Sequence, residues 1–178
     1  MHTAETIAEL LCKRIHKADV DSIAKWAAQS NQNLSGLYKL MSSENDRISN
    51  NALWCISSLP KSEARSLQQF QHDLIDRLLT ERHPSKKRIL LQILREQEYD
   101  KGSIRADLID YCLMRITCDS EPVAVRSFCI YCAFKMCRHF PELLGELEEH
   151  LSMLSTMNLT PGLRCARNAT LKAIRRLR

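Results

Sequence analysis

A sequence pattern that repeats about every forty residues constrains the fold of this chain more than any other feature. Helix-like stretches contain Ser49, Arg88, Arg126 and Arg167 at equivalent positions, separated by steps of 39, 38 and 41 residues. A fixed period of this size is typical of proteins that stack pairs of helices. One pair cannot bury its apolar face alone, so the repeat predicts an all-α solenoid whose core continues from pair to pair.

The composition agrees with a helical chain. Aromatic residues make up only 6% of it, and there are 4 glycines and 5 prolines. Strands rely on aromatic and β-branched residues and on turn residues between them. Because leucine, alanine and long charged side chains predominate instead, helix is favoured. At 178 residues and 44% hydrophobic, the chain is long enough for one domain with a substantial core.

Each repeat is predicted to contain a first and a second helix. The first helices are expected at 33–43, 64–81, 103–117 and 141–156, and the second helices at 46–59, 85–98, 122–138 and 161–177. Proline lies at or near most of the starts, where its missing N–H costs nothing. Residues 1–32 are predicted to form N-terminal capping helices. The repeats are assigned to 33–63, 64–102, 103–140 and 141–178, packed as one domain.

Aligned apolar columns on the second helices predict the shared core. Counted from the four equivalent positions, the columns lie three, six and ten residues further along. They contain Ala52, Leu91, Cys129 and Thr170; then Cys55, Leu94, Cys132 and Ala173; and then Leu59, Met136 and Leu177.

Two motifs resemble the HEAT-repeat family of armadillo-like helical solenoids. They are Asp119-x5-Val125-Arg126-x2-Cys129 and Asp46-Arg47-Ile48-Ser49-x2-Ala52, which are similar to the family's turn aspartate followed by Val-Arg-x-x-Ala. The resemblance covers about residues 33–178. It implies a right-handed α-α superhelix of about four repeats plus N-terminal capping helices. Two positions depart from the pattern: His83-Pro84-Ser85 replaces an acidic turn, and Ser49 stands where arginine is expected.

The stretch from Glu121 to Arg126, followed by Pro141-Glu142-Leu143-Leu144, also looks like small uncharacterised bacterial HEAT-like proteins. That likeness implies a fold and no activity.

A stripe on the second helices, away from the core columns, is the candidate binding surface. The HEAT resemblance implies that second helices line the concave side of the solenoid. Exposed aromatic residues flanked by arginine are good anchors for a partner protein. In the alternative interpretation the superhelix closes over these residues, which then form a second layer of core. The predicted partner-binding residues are Trp54, Ile93, Tyr131, Phe134, Lys172 and Arg175.

The repeated arginines allow two interpretations. Arg88, Arg126 and Arg167 occupy one position per repeat and could form a basic ladder for phosphates. The favoured interpretation is structural, with each arginine tying its helix to the preceding turn. Asp119, seven residues before Arg126, suits that role.

No pattern of reactive side chains predicts catalysis, a cofactor or a metal site. Cys129 and Cys132 fall in the core columns, whereas structural zinc sites gather four ligands from loops or turns. Most of the eight cysteines are therefore expected to be reduced, buried thiols. Asp73/Asp76 and Asp107/Asp110 are carboxylate pairs that fit ordinary solvated helix faces. The chain is accordingly predicted not to be an enzyme, although a site built from distant residues stays open.

Charge and localisation give weaker constraints. The formal net charge is +5 and the sequence pI is about 8.8, which is modest for a dedicated nucleic-acid domain. The first residues lack the basic and apolar regions of a secretory signal, and no apolar run approaches a membrane span. A cytoplasmic protein with no membrane association is expected.

Two classes of function remain at the level of the sequence. The preferred one is a non-catalytic scaffold that binds a partner protein or peptide on the concave surface, through an acidic segment at the basic end of the stripe. The alternative is nucleic-acid binding or repair, because HEAT-like DNA alkylation glycosylases use such a solenoid. The identity of the partner, the pathway and the oligomeric state stay open.

Overall fold

The computed structural model of the chain describes residues 4–60, 63–154 and 159–178. Within these residues it is built from ten α-helices and one 3-10 helix, and it contains no strand. None of the described helices is both long enough and apolar enough to cross a membrane. The α-helices are α1 (Ala4–Leu11), α2 (Lys17–Ala27), α3 (Asn31–Leu40), α4 (Asp46–Ser57), α5 (Gln71–Thr80), α6 (Pro84–Glu96), α7 (Ala106–Ile116), α8 (Val123–Cys137), α9 (Pro141–Met153) and α10 (Pro161–Leu177).

The helices fall into two compact units. Unit 1 spans Met1–Phe70 and contains α1 to α4 with the 3-10 helix Ala64–Phe70. Unit 2 spans Gln71–Arg178 and contains α5 to α10. Inside unit 2, α5, α7 and α9 are the first helices of the pairs, and α6, α8 and α10 are the second helices.

Side-chain amides determine where two helices of unit 1 end and begin. The Asn51 amide donates to the backbone oxygens of Leu11, at 2.9 Å, and Lys13, at 3.2 Å. It thereby satisfies carbonyls that the end of α1 leaves without a helical partner. The Asn45 side chain accepts from the backbone N–H groups of Arg47 and Ile48 and caps α4.

The sequence pattern was wrong about the helix predicted over 64–81. The chain forms a 3-10 helix over Ala64–Phe70, and α5 begins only at Gln71. The Phe70 ring stacks on the buried Tyr38, with the ring centroids 3.9 Å apart and the planes 8° from parallel. Both rings belong to unit 1, which ends at Phe70. The boundary between the two units therefore falls inside the segment for which the periodicity predicted one continuous helix.

The centre of unit 2 is α8, which contacts α6, α7, α9 and α10. Its apolar residues are distributed around the whole helix, a pattern typical of a helix buried by neighbours. Cys129, Cys132 and Met136 have no solvent-exposed surface. The core of unit 2 is therefore organised around one helix that four others cover.

The structural interpretation of the repeated arginines is confirmed at two positions. Arg126 donates from Nε to the Ile116 carbonyl at 2.9 Å and from Nη1 to Asp119 Oδ1 at 2.8 Å. Arg167 donates from Nε to the Leu151 carbonyl at 2.8 Å. In both cases the second helix is tied to the end of the first helix before it.

Of the other two equivalent positions, Arg88 bonds within its own helix, whereas Ser49 ties its helix to the preceding one. Arg88 donates to Gln92 on its own helix at 3.3 Å. Its repeat has His83 in place of the acidic turn, and the His83 side chain instead accepts from the backbone N–H of Ser85 at the start of α6. Ser49, which replaces the arginine in the first repeat, donates from Oγ to the Met41 carbonyl at 2.8 Å. Serine thus makes the same kind of tie over a shorter distance.

The predicted core columns are largely correct. The column three residues past the equivalent positions is buried throughout: Ala52, Leu91, Cys129 and Thr170. The last column is wrong at Leu177, which is 56% exposed at the end of α10.

Candidate protein-binding face

The second helices of unit 2 contain aromatic and basic side chains that are not fully buried. We call this set the second-helix face; its members are Arg95 on α6, Phe128, Tyr131 and Phe134 on α8, and Lys172 and Arg175 on α10. The three aromatic residues are half-buried, and Lys172 and Arg175 are exposed. Because α6 and α10 both pack against α8, the face spans three helices of one compact unit.

Arg95 covers the aromatic part of the face. Its guanidinium carbon lies 5.1 Å from the centroid of the Phe128 ring and 5.4 Å from that of Tyr131. Both distances are typical of cation–π contacts. Arg95 also donates from Nε and Nη2 to Glu96 Oε1, at 3.0 and 2.7 Å. The side chain keeps 36% of its surface exposed, so a cation with a fixed position faces solvent.

The sequence interpretation missed Arg95 and Phe128. Arg95 is two residues after Ile93 and Phe128 is three residues before Tyr131, so neither shares a repeat position with the predicted binding residues. An alignment of equivalent positions does not show contacts between residues at different positions. The sequence signal that could have indicated them is an arginine on one second helix and aromatic residues on the next second helix. Only the packing of the two helices shows that Arg95 lies over the rings.

The predicted binding residues are not all brought together. Tyr131, Phe134, Lys172 and Arg175 belong to the second-helix face. Ile93 is on α6, but it is 6% exposed and contributes to the core, which leaves little of it for a partner. Trp54 is half-buried on α4 of unit 1, so it belongs to a different compact unit from the other five.

Charge is separated between the two sets of helices in unit 2. The second helices α6, α8 and α10 contain eleven lysines and arginines and one acidic residue, Glu96. The first helices α5, α7 and α9 contain eight acidic residues and two arginines. The modest net charge of the whole chain therefore conceals a basic set of helices and an acidic set.

A comparison with known families identifies the same helix-pair architecture. A family model described as a HEAT repeat domain matches residues 7–174. The chain belongs to the HEAT repeat family. No curated protein matches this HEAT repeat chain.

The carboxylate pairs of this HEAT repeat chain lie on exposed helix faces and are held by arginines. Arg77 pairs with Asp73 at 2.6 Å. Arg105 bridges Asp76 on α5 and Asp107 on α7, each at 2.5 Å. The hydrogen bond from Arg105 lowers the pKa of the Asp107 carboxyl. Arg105 thereby links the neighbouring first helices α5 and α7.

Three buried cysteines cluster in the core of unit 2. The Cys112 thiol is hydrogen-bonded to Cys129 and Cys132, and those contacts together with burial raise its pKa well above the usual value. Burial also raises the pKa of Cys55 and of Cys137 to about 12. All eight cysteines are free thiols. Among the described residues, no three His, Cys, Asp or Glu side chains are grouped in a way that could hold a metal ion.

Cys118 differs from the buried thiols. It lies partly exposed just after α7, and its Sγ is 3.1 Å from the Ser120 hydroxyl. The hydrogen bond from Ser120 lowers the pKa of the Cys118 thiol. A lower pKa keeps more of the thiol as reactive thiolate at neutral pH.

We expect Ser120→Ala to slow alkylation of Cys118. Loss of the hydroxyl raises the pKa of the Cys118 thiol, so a smaller fraction of it is thiolate at neutral pH. The pH profile of the alkylation rate therefore shifts to higher pH. Iodoacetamide labelling at pH 7.5, followed by peptide mass spectrometry, should show a rate about two- to fivefold lower. The exposed Cys165 serves as an internal control and should react at the same rate in both proteins. An unchanged rate at Cys118 would contradict the role given to Ser120.

Proposed function

We propose that this HEAT repeat protein is a non-catalytic interaction module whose second-helix face in unit 2 binds an acidic segment of a partner protein. The observation that carries the proposal is Arg95, which is held over Phe128 and Tyr131 and still faces solvent. Half-buried aromatic residues and arginine are the residue types that contribute most to binding energy at protein interfaces.

The geometry of Arg95 favours a carboxylate as its ligand. The two rings hold the guanidinium in place, so less side-chain freedom is lost when a partner binds. Glu96 Oε1 already accepts both of the hydrogen bonds from Nε and Nη2. A carboxylate of the partner would replace Glu96 and accept from the same Nε and Nη2 groups, because arginine forms paired hydrogen bonds with carboxylates.

The neighbouring helix α10 supports the choice of an acidic partner. Five basic residues and no acidic residue lie within Pro161–Leu177, and Lys172 and Arg175 are both exposed. Surface charge of one sign steers an oppositely charged partner and raises the association rate. We therefore propose that the partner places an apolar side chain near Tyr131 and Phe134 and directs acidic residues toward α10.

The test is a binding measurement on the full chain. Proteins captured from a lysate by wild type and lost by Tyr131→Ala/Arg175→Glu are identified by mass spectrometry, and an acidic segment of such a protein is synthesised with a fluorescent label. We expect the double variant to weaken binding of that segment at least tenfold in anisotropy titrations. Both tryptophans, Trp26 and Trp54, lie in unit 1, so intrinsic fluorescence is not the chosen signal.

A second pair of variants separates the contribution of Arg95 to binding from a general effect of charge on binding. Arg95→Gln should weaken binding, whereas Glu96→Gln should preserve or strengthen it because the competing internal carboxylate is removed. Trp54→Ala in unit 1 is the matched aromatic control and should leave affinity unchanged. Equal affinity of wild type, Arg95→Gln and Tyr131→Ala/Arg175→Glu would refute binding at this face.

The basic composition of α10 also favours a second candidate, binding of nucleic acid through phosphates. A repair function like that of the HEAT-like DNA alkylation glycosylases would need a carboxylate beside the aromatic residues of the binding surface. Glu96 is the one acidic residue of α6, α8 and α10, and Arg95 engages it. A labelled DNA duplex should accordingly bind weakly, without sequence preference and with a steep loss of affinity as salt rises. Sequence-specific or lesion-specific binding would favour the nucleic-acid candidate instead.

A further inference from the structure

The opposite set of helices in unit 2 contains an acidic stripe that ends in an exposed methionine. Glu142, Glu146, Glu149 and Met153 on α9 are spaced by 4, 3 and 4 residues, which places them on one face of the helix. All four are exposed, and Met153 is 67% exposed. No lysine or arginine occurs within Pro141–Met153, so the negative charge is not balanced on α9 itself.

A cavity of about 350 Å³ lies beside the methionine, where α7 and α9 end and α8 and α10 begin. We call it the edge cavity. Val123 and Met153, two of the four large hydrophobic residues that are exposed in the described chain, border it, and the buried Leu154 and Leu163 also line it. Its other lining residues are Thr117, Asp119, Arg126, Leu159 and Thr160. An apolar side chain of a ligand would find apolar contacts here.

The rim of the edge cavity is negative. The side chain of Asp119 is 93% exposed, whereas that of its partner Arg126 is 10% exposed. Arg126 also donates to the buried carbonyl of Ile116, so its charge is directed into the protein. The charge that a ligand meets at the rim is therefore that of the Asp119 carboxylate, which has the same sign as the glutamates of α9.

We propose that the edge cavity and the acidic stripe together bind a basic amphipathic helix of a partner protein. One apolar residue of that helix enters the cavity beside Met153, and its lysines or arginines lie along Glu142, Glu146 and Glu149. The stripe is about 16 Å long at 1.5 Å per residue, or three helical turns, which matches cations spaced by three and four residues on the partner. Methionine adapts its shape to different apolar ligands.

This site differs from the second-helix face in both position and charge. It uses α9 and the helix ends around the edge cavity, whereas the second-helix face uses the aromatic and basic residues of α6, α8 and α10. With both sites, unit 2 would hold an acidic segment of one protein and a basic helix of another. The two sites can be tested separately because each has its own exposed residues.

The probe is a fluorescein-labelled synthetic amphipathic helix of leucine and lysine, titrated with the full chain at about 0.15 M salt, where the Debye length is about 8 Å. Glu146→Lys/Glu149→Lys should weaken its binding at least tenfold, and Met153→Gln should weaken it about fivefold. Lys172→Glu/Arg175→Glu, on the second-helix face, should leave its affinity within about twofold of wild type, a salt-screened effect of distant charge. All five positions are exposed, so the variants should fold normally, which circular dichroism checks.

Two control peptides separate specific docking from simple charge attraction. A peptide with the leucines replaced by serine keeps the charge and should bind at least tenfold more weakly; equal binding would overturn the proposal. So would unchanged affinity after Met153→Gln. Salt-sensitive self-association of the unlabelled protein in sedimentation equilibrium, abolished by Glu146→Lys/Glu149→Lys, would assign the site to a second copy of the chain and overturn the proposal of a foreign basic helix.

Discussion

Cys129→Asp should destabilise unit 2 by about 3–5 kcal/mol, because it places an uncompensated charge in a fully buried position. Cys129 has no exposed surface and lies on α8, which four other helices contact. Its immediate neighbours include the Cys112 thiol, which provides no positive charge. The measurement is thermal unfolding followed by circular dichroism, in which the midpoint should fall by at least about 10 °C.

The matched control is Cys165→Asp on α10. Cys165 is exposed, so the same substitution adds the same charge without burying it. We expect that variant to unfold within about 2 °C of wild type, since exposed substitutions seldom change the free energy of unfolding by more than about 0.5 kcal/mol. A small effect of Cys129→Asp would show that α8 packs in a different register from the one described.

Arg126→Met should cost about 2 kcal/mol of unfolding free energy, whereas Arg88→Met should cost less than about 0.5 kcal/mol. The two arginines occupy equivalent positions in the repeats. Arg126 supplies the hydrogen bond to the Ile116 carbonyl and ties α8 to the end of α7. Arg88 bonds only to Gln92 on its own helix among its described hydrogen bonds. Urea unfolding followed by circular dichroism measures both costs.

Asp119→Ala identifies which partner of Arg126 matters. The carboxylate is 93% exposed, so its ion pair is screened by water and should contribute less than about 1 kcal/mol. The larger part of the cost of Arg126→Met is assigned to the bond with the Ile116 carbonyl. Equal costs for Arg88→Met and Arg126→Met would contradict this account, because they would make the tie between helices irrelevant to stability.

Periodicity was sufficient to predict α6 to α10 of unit 2, and it misplaced the start of α5. A helix that must bury one side repeats its apolar residues every three to four positions, and this pattern can be read without knowing which neighbour covers them. The same argument placed Leu91 and Cys129 in the core, where the structure has them. Proline at the starts of α6, α9 and α10 fixed those boundaries locally.

Contacts between distant parts of the chain decided what periodicity could not. The stacking of Phe70 on Tyr38 depends on residues far apart in sequence, and it lies where a continuous helix over 64–81 had been predicted. Likewise, the carbonyl of Leu11 at the end of α1 accepts a hydrogen bond from Asn51, forty residues further along the chain. A local pattern contains no information about which distant side chain arrives at a helix end.

The sequence alone determined that the chain is a series of HEAT-like helix pairs with aligned apolar columns and with stripes of aromatic and basic residues on the second helices. Tertiary packing alone decided which residues of those stripes face solvent. It buried Ile93, placed Arg95 over Phe128 and Tyr131, and left Met153 exposed beside the edge cavity. The physical reason is that helical periodicity fixes the side of a helix on which a residue lies, whereas exposure depends on how closely the neighbouring helices approach that side.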